Sequence, residues 1–295
     1  MRVRLLDNFW ARLCFFVLII SSTTACIATE SRRPIEIASL SKTDCAQLKA
    51  KKVITDVNPV PCERLSQVCF SYLNENGVIC NDGTLVVLDL LAPKVEALMQ
   101  DLLKQNFVIA KARPMEAYLG DDQASMADNN SSAFNGRAVA GGSRWSLHAY
   151  GSAIDINPVQ NPFIDISEDG TALISPVKSA HYSVNRLNHR PGKPRRQGMA
   201  EDVVDLFAEH GFFVWGGYWN YPVDYQHFQV GPRSFVEALV AMEPEEGEKL
   251  LNRFIDMYRN CRKINRSEYD LVKVRAECID VVLAGMSEFV ISTEE

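Results

Sequence analysis

The sequence predicts a mixed α and β fold, and three observations carry that prediction. Short apolar runs rich in branched and aromatic residues recur at Leu85–Leu88, Phe107–Ala110, Phe212–Trp215 and Gln226–Val230, bounded by turn-forming residues, as strands are. Helical spacing appears at Val95, Leu98, Met99 and Leu102 behind Pro93, again at Val203, Val204, Phe207 and Ala208 before Gly211, and beyond Pro232 to the end. The composition, 47% hydrophobic and 23% charged over 295 residues, is that of a folded chain, and one main domain with extensions suits the length. The net charge of −6 is spread along the chain, so nothing in it points to nucleic acid as a partner.

At the N-terminus Arg2, Arg4 and Arg12 precede an apolar run, Leu13 to Ile20, and then small residues through Ala25. These are the three parts of a secretory signal, over residues 1–25, with an apolar run short for a bilayer span. Cys26 follows Thr24-Ala25, a setting that resembles a bacterial lipoprotein cleavage site, although Thr23 stands where leucine is usual. Two outcomes stay open: lipidation of Cys26 with membrane attachment, or ordinary signal cleavage. Both place the chain in the periplasm or cell envelope.

Export makes sense of the eight cysteines. With Cys14 in the signal and Cys26 at its edge, Cys45, Cys62, Cys69, Cys80, Cys261 and Cys278 can form up to three disulfides. Cys261–Cys278 is the simplest pairing, and pairing among the other four stays open. No tight Cys-x-x-Cys pair supports metal binding by these residues. The chain therefore divides into the signal, a cysteine-rich segment over 26–83, a main domain over 84–232 and a helical extension over 233–295.

Within the main domain His148, Asp155 and His227 draw attention, because imidazole nitrogen and carboxylate oxygen are the donors zinc takes. In the alternating run Ser152–Asn157, Ile154 and Ile156 point to one face and Asp155 to the other. In Gln226–Val230 the same alternation sets His227 opposite Phe228 and Val230. His148 and Asp155 are seven apart, so a bend is required between them, and Gly151 can make it. Asp224, three residues before His227 and just past Pro222, is placed to act as general base and then acid. Arg137, in the polar loop from Asn129, is the candidate for holding a substrate carbonyl and a developing oxyanion, with Arg113 a weaker one.

The run Ser146-Leu-His148-Ala-Tyr-Gly151-Ser-Ala153-Ile-Asp155 resembles the Ser-x-His-x-x-Gly-x-Ala-x-Asp signature of the zinc D-alanyl-D-alanine carboxypeptidases. That family includes VanY-type and VanX-type peptidases and L-alanyl-D-glutamate endopeptidases of phage endolysins. Asp224-Tyr-Gln-His227 is similar to its second signature, and Trp215-Gly-Gly-Tyr-Trp219 looks like the endopeptidase branch. The resemblance covers about residues 84–232 and neither extension. It implies a small, mostly antiparallel sheet with helices on one face and a zinc cleft on the other, within an α+β class.

It further implies His148, Asp155 and His227 as Zn²⁺ ligands, Asp224 as the acid/base, Arg137 as a transition-state contact, and Ser146 and Gly151 as supports behind the ligands. Peptidoglycan stem peptides would be the substrate, cut at D-Ala–D-Ala or at L-Ala–D-Glu. Trp145, Trp215 and Trp219 are read first as core or rim packing, and the alternative is an aromatic wall in which Trp215, Trp219 and Tyr225 meet the substrate. His181, His189 and His210 are read as structural or solvated, and the basic cluster Arg186–Arg196 as a solvated loop, with contact to carboxylates of wall peptides or a flap over the cleft as the functional alternatives. The reading from a different class is a wall-binding lipoprotein that keeps the metal without turnover.

Overall fold

The computed structural model describes residues 36–139, 142–265 and 270–294; the expected signal, Cys14 and Cys26 lie outside the described residues. The first sheet is antiparallel, in the order β1 (Glu36–Ser39), β2 (Leu65–Leu73), β3 (Ile79–Leu88). Its hairpin turn is built by Asn74, whose side chain accepts from the backbone N–H groups of Asn76 and Val78 at 3.0 Å each, and by Gly77 at φ +72. Strand β3 runs across residue 83, so the cysteine-rich segment and the main domain share this sheet.

Helix α1 (Lys42–Ala50) starts at a capping box in which Ser41 and Asp44 satisfy each other's backbone N–H groups. A disulfide between Cys45 and Cys62 ties this helix to the entry of β2. Helix α2 (Ala92–Lys104) has Pro93 in its first turn and buries Val95, Leu98, Met99 and Leu102, the stripe its spacing predicts, against β2.

Phe107–Ala110 departs from its predicted strand and makes only a single parallel bridge, Val108 to Leu73. The Asn157 side chain occupies the edge that a neighbouring strand would need. It donates to the Val108 carbonyl at 2.7 Å and accepts from the Ala110 N–H at 2.8 Å. The backbone groups are satisfied without a ladder.

Downstream lie α3 (Asp122–Ala127), β4 (Ala153–Asp155), the hairpin β5 (Phe163–Ile166) and β6 (Ala172–Ser175), α4 (Ala180–Val184) and α5 (Val204–Glu209). Three short strands follow, β7 (Val214–Trp215), β8 (Val223–Asp224) and β9 (His227–Gln229). They complete two further antiparallel sheets, β4-β9-β7 and β6-β5-β8. The class is α+β with antiparallel strands, as the family resemblance implies, distributed over three small sheets among the described residues.

The core beneath the second sheet is aromatic. Phe228 of β9 stacks on Phe207 of α5 at 3.8 Å between ring centroids, and Trp215 lies parallel to it on β7. Helix α5 ends where predicted, with Gly211 at φ +91. Three helices close the chain, α6 (Arg233–Ala241), α7 (Pro244–Ile264) and α8 (Leu271–Glu294). Phe235, Leu239, Phe254, Ile255 and Tyr258 are buried, so these helices dock on the domain. Arg64 fastens them: it pairs with Asp89 at 2.6 Å and donates to the carbonyls of Val240 and Met242 at the end of α6. No described helix is long and apolar enough to cross a membrane.

Cys261–Cys278 joins α7 to α8, as its spacing suggests, and Cys80 is disulfide-bonded as well. Among the six cysteines that could form up to three bridges, one stays unbridged. Cys69 keeps a free thiol, buried in β2, where it accepts a hydrogen bond from the Gln67 amide at 3.1 Å.

The bend predicted at Gly151 is real and tightly constrained. Its φ is +64, and an added Cβ would lie 2.5 Å from the Leu88 backbone nitrogen and 2.9 Å from the Val87 carbonyl carbon. That approach is what lets the Gly151 carbonyl accept from the Leu88 N–H at 3.0 Å. Gly151→Ala is therefore expected to destabilise the fold by at least about 2 kcal/mol, since left-handed strain and a backbone clash add. Urea denaturation checks this, and an unchanged midpoint would refute it.

Candidate metal centre

Each of the three singled-out side chains is set by a different local device. His148 sits in a one-turn 3₁₀ helix, Leu147–Tyr150, rather than on a strand. The Ser146 hydroxyl accepts from the His148 N–H at 3.3 Å at its start, Gly151 ends it, and Tyr150 is tied to α6 by a 2.8 Å hydrogen bond to Glu237. Asp155 and His227 stand directly opposite each other on the antiparallel neighbours β4 and β9. The alternation places them away from Ile154 and Phe228, which are fully buried in the core. All three side chains are themselves buried.

Their donor atoms converge. His148 Nε2 lies 3.1 Å from His227 Nδ1 and 3.2 Å from Asp155 Oδ1, and His227 Nδ1 lies 3.1 Å from Asp155 Oδ1. This triangle suits a tetrahedral cation with bonds of about 2.0–2.1 Å, which would set its ligand atoms about 3.3 Å apart.

The protonation pattern also suits one. His148 Nδ1 is 2.6 Å from the Ala133 carbonyl, which can only accept, so Nδ1 carries the proton and the Nε2 lone pair faces the cluster. Ala133 is held there by the reciprocal backbone bonds between its neighbour Ser132 and Asp155. His227 is fixed from the other side. The Gln229 amide donates to the Gly231 carbonyl at 2.9 Å, which turns its Oε1 toward His227 Nε2 at 3.0 Å. His227 Nε2 is then the N–H, and the Nδ1 lone pair faces the cluster. Burial opposes ionisation of Asp155, yet the charge and hydrogen bonds of His148 and His227 outweigh it and hold the carboxyl well below the usual range. Two lone pairs and one carboxylate therefore face a common point, the donor set a divalent cation needs.

Asp224 belongs to β8, paired with Phe163 of β5, rather than to a free turn. Its Oδ1 is buried without a hydrogen-bond partner. Burial, followed by the negative charge of Asp155, pushes its pKa up to about 7. Gly216 holds this residue closely, since a Cβ there would sit 2.5 Å from the Asp224 carbonyl oxygen.

Other residues singled out in the sequence have partners of their own. Arg137 is paired with Asp122 at 2.7 Å and donates to the Ala138 carbonyl, with its Nε buried and unpartnered. Arg113 has its backbone N–H and carbonyl held by the Asn130 side chain. The Trp219 ring lies 5.3 Å from the His227 ring, at the rim. Trp215 is buried in the aromatic core and donates to the Tyr225 carbonyl at 2.9 Å, while the Tyr225 ring is covered by the Arg186 guanidinium at 4.0 Å. His210 pairs with Asp101 at 3.0 Å, far along the chain from the cluster. Ala133 and Gln229 escaped the sequence reading. A backbone carbonyl has no side-chain signal, but Gln229 stands two residues past His227, hence on its strand face.

No curated protein and no solved structure matches the chain. Residues 140–230, which hold the 3₁₀ helix, β4 and β9, match the family model described as D-alanyl-D-alanine carboxypeptidase.

Proposed function

We propose that the chain is a zinc-dependent peptidase that hydrolyses bonds to D-amino acids in peptidoglycan stem peptides. The observation that carries the reading is the triangle of donor atoms on His148, Asp155 and His227, together with a buried, unpartnered carboxylate oxygen of Asp224 on β8. These three residues would hold the ion, which when bound polarises the scissile carbonyl and lowers the pKa of water. Asp224 takes a proton from the attacking water on its carboxylate and returns it to the leaving amine. Burial of that carboxylate keeps it from being spent on surface partners. Arg137, oriented by Asp122, supplies guanidinium N–H groups to the substrate carbonyl as negative charge builds on it. Trp219 and the Arg186-covered Tyr225 line the approach.

The matched family's description favours the terminal D-Ala–D-Ala bond. The run Trp215-Gly-Gly-Tyr-Trp219 resembles the endopeptidase branch and favours the internal L-Ala–D-Glu bond instead, while the aspartate at 224 is closer to that branch than to the dipeptidases. Export to the cell envelope, with or without a lipid on Cys26, is supported by the charged, apolar and small residues of positions 1–25.

Mass spectrometry of muropeptides with pentapeptide stems, incubated with the mature protein with and without chelator, tests the reading. Chelator-sensitive loss of one alanine is the carboxypeptidase result, and release of a peptide beginning at D-Glu is the endopeptidase result. Metal binding with no product from any stem would replace both with a non-catalytic wall-binding role.

The hydrogen bond from His227 to Gln229 yields a separate expectation. Gln229→Leu keeps the volume and removes the acceptor that fixes the His227 tautomer, so zinc affinity should fall by roughly 10–100-fold. Competition against a chromogenic chelator measures this. Unchanged affinity would mean that packing alone orients the ring.

A further inference from the structure

Helix α8 belongs to the C-terminal extension, beyond the motifs that build the metal centre, yet one of its side chains reaches back toward that centre. Arg275 is only 7% exposed, although a guanidinium resists removal from water unless it is paired. Its partners come from two other elements. On α5 the Asp205 carboxylate lies 3.4 Å from Nη1 and is shared with Arg262 of α7 at the same distance. On the one-turn 3₁₀ helix Gly216–Tyr218, the Tyr218 hydroxyl accepts a hydrogen bond from Nη2, and the guanidinium carbon stands 5.9 Å from the centre of the Tyr218 ring. Tyr218 is 50% exposed, so water could have satisfied its hydroxyl; a buried cation in that place fixes its direction as well.

Helix α8 is not free to follow a moving tyrosine. Cys278, one turn on from Arg275, is bonded to Cys261 of α7, and Met286 lies against Gly231, where an added Cβ would sit 2.7 Å from its Sδ. The Gly231 carbonyl is the one that orients the Gln229 amide beside His227. The 3₁₀ turn, for its part, reaches both working strands. Gly216 at its start closes on Asp224, and Trp219 directly after it places its ring 5.3 Å from that of His227. Tyr218 also meets Trp215 edge to face at 4.9 Å, so its ring is held on two sides.

We infer that Arg275 is a positioning residue for the metal cleft. Through Tyr218 it fixes the turn that carries Trp219 at the rim beside His227, and with it the place where a peptide lies against the site. The consequence for substrate rests on the peptidase reading; the placement of the turn does not. The contacts of Arg275 are to Tyr218 and Asp205 rather than to reacting atoms, so peptide binding should change and the chemical step should not.

Steady-state kinetics of the zinc-loaded mature chain on muropeptides with pentapeptide stems test that consequence. Arg275→Met and Tyr218→Phe should each raise KM roughly tenfold with kcat held within about twofold, and the double variant should be no worse than either single one, since all three remove the same contact. Arg275→Lys keeps a cation at the site and should recover part of the loss. Additive effects on KM, or a fall in kcat with KM unchanged, would overturn the inference in favour of a general folding role. Fluorine NMR of the fluorotryptophan-labelled chain reads the placement without activity, with the Trp219 line identified by its absence in Trp219→Phe. That line should shift in Arg275→Met and return toward its parent position in Arg275→Lys. Tyr218→Phe changes a half-exposed side chain and keeps its ring, so it carries both measurements should Arg275→Met fail to fold. An unmoved Trp219 line would overturn the inference. A moved line in a chain whose parent cleaves no stem would remove the peptidase reading and leave the role of Arg275 standing.

Discussion

Asp224→Asn is expected to lower turnover of stem peptides by about 10²–10⁴-fold, the usual contribution of a positioned acid/base, while the protein still takes up zinc. The substitution keeps the shape of a side chain whose backbone is gripped by Gly216, so the strand pairing of β8 with β5 should survive. It removes only the ability to carry a proton on an oxygen that is buried and otherwise unpartnered. The three donor atoms of His148, Asp155 and His227 are untouched, so metal content by atomic absorption should match the parent protein. Loss of turnover with full metal content is the signature of a proton-transfer role. Turnover within a few fold of the parent would move that role to another group, and loss of both properties would mean that Asp224 holds the site together instead.

The legibility of this site in the sequence has a physical basis. His148, Asp155 and His227 could be found because the two-residue period of a strand ties face to sequence parity, and the core residues Ile154 and Phe228 declare the opposite face. Gly151 could be assigned its bend because an odd spacing demanded one and glycine is the residue that tolerates φ > 0. The amphipathic helices read equally well, from Val95 to Leu102 and through the C-terminal extension, since burial of one stripe is a local property of the chain.

What could not be read depends on partners distant in sequence. The Val108 run looked like a strand, but Asn157 from 49 residues away takes its edge. Cys69 was counted toward a bridge although the β2 register leaves its thiol buried and unpaired. The Ala133 carbonyl that fixes the His148 tautomer is a backbone atom, silent in any sequence. The orientation of the basic loop, likewise, follows from the Arg186 pair with Glu201 at 2.6 Å and its stack on Tyr225, neither of which its composition specifies.

The gap in thermal stability between zinc-loaded and chelator-treated protein should widen as pH rises above about 6.5, the ordinary histidine value. Burial disfavours the imidazolium form of His227, but the hydrogen bond and charge of Asp155, with the charge of Asp224, outweigh it and hold the pKa above 6.5. A raised pKa in the folded state means that the protonated pair contributes stability fully below the unfolded value and loses it as pH climbs through the folded one. The metal-free protein therefore weakens across this window. Zinc requires the His227 Nδ1 lone pair, so protons compete with it at low pH and its affinity grows over the same interval. Asp155, held well below the usual carboxylate range, stays ionised throughout and does not reverse the trend. These are two views of one proton linkage, and it widens the gap. With free zinc at a hundred times the dissociation constant, binding adds about 2.7 kcal/mol. In a chain of this size that raises the melting temperature by roughly 5–10 °C. Scanning calorimetry between pH 5.5 and pH 8, with and without chelator, reads the gap directly, and Asp155→Asn should collapse it at every pH. A gap that stays constant over this range would mean that His227 is not the proton competitor for the metal, and the tautomer set by Gln229 would lose its part in presenting Nδ1.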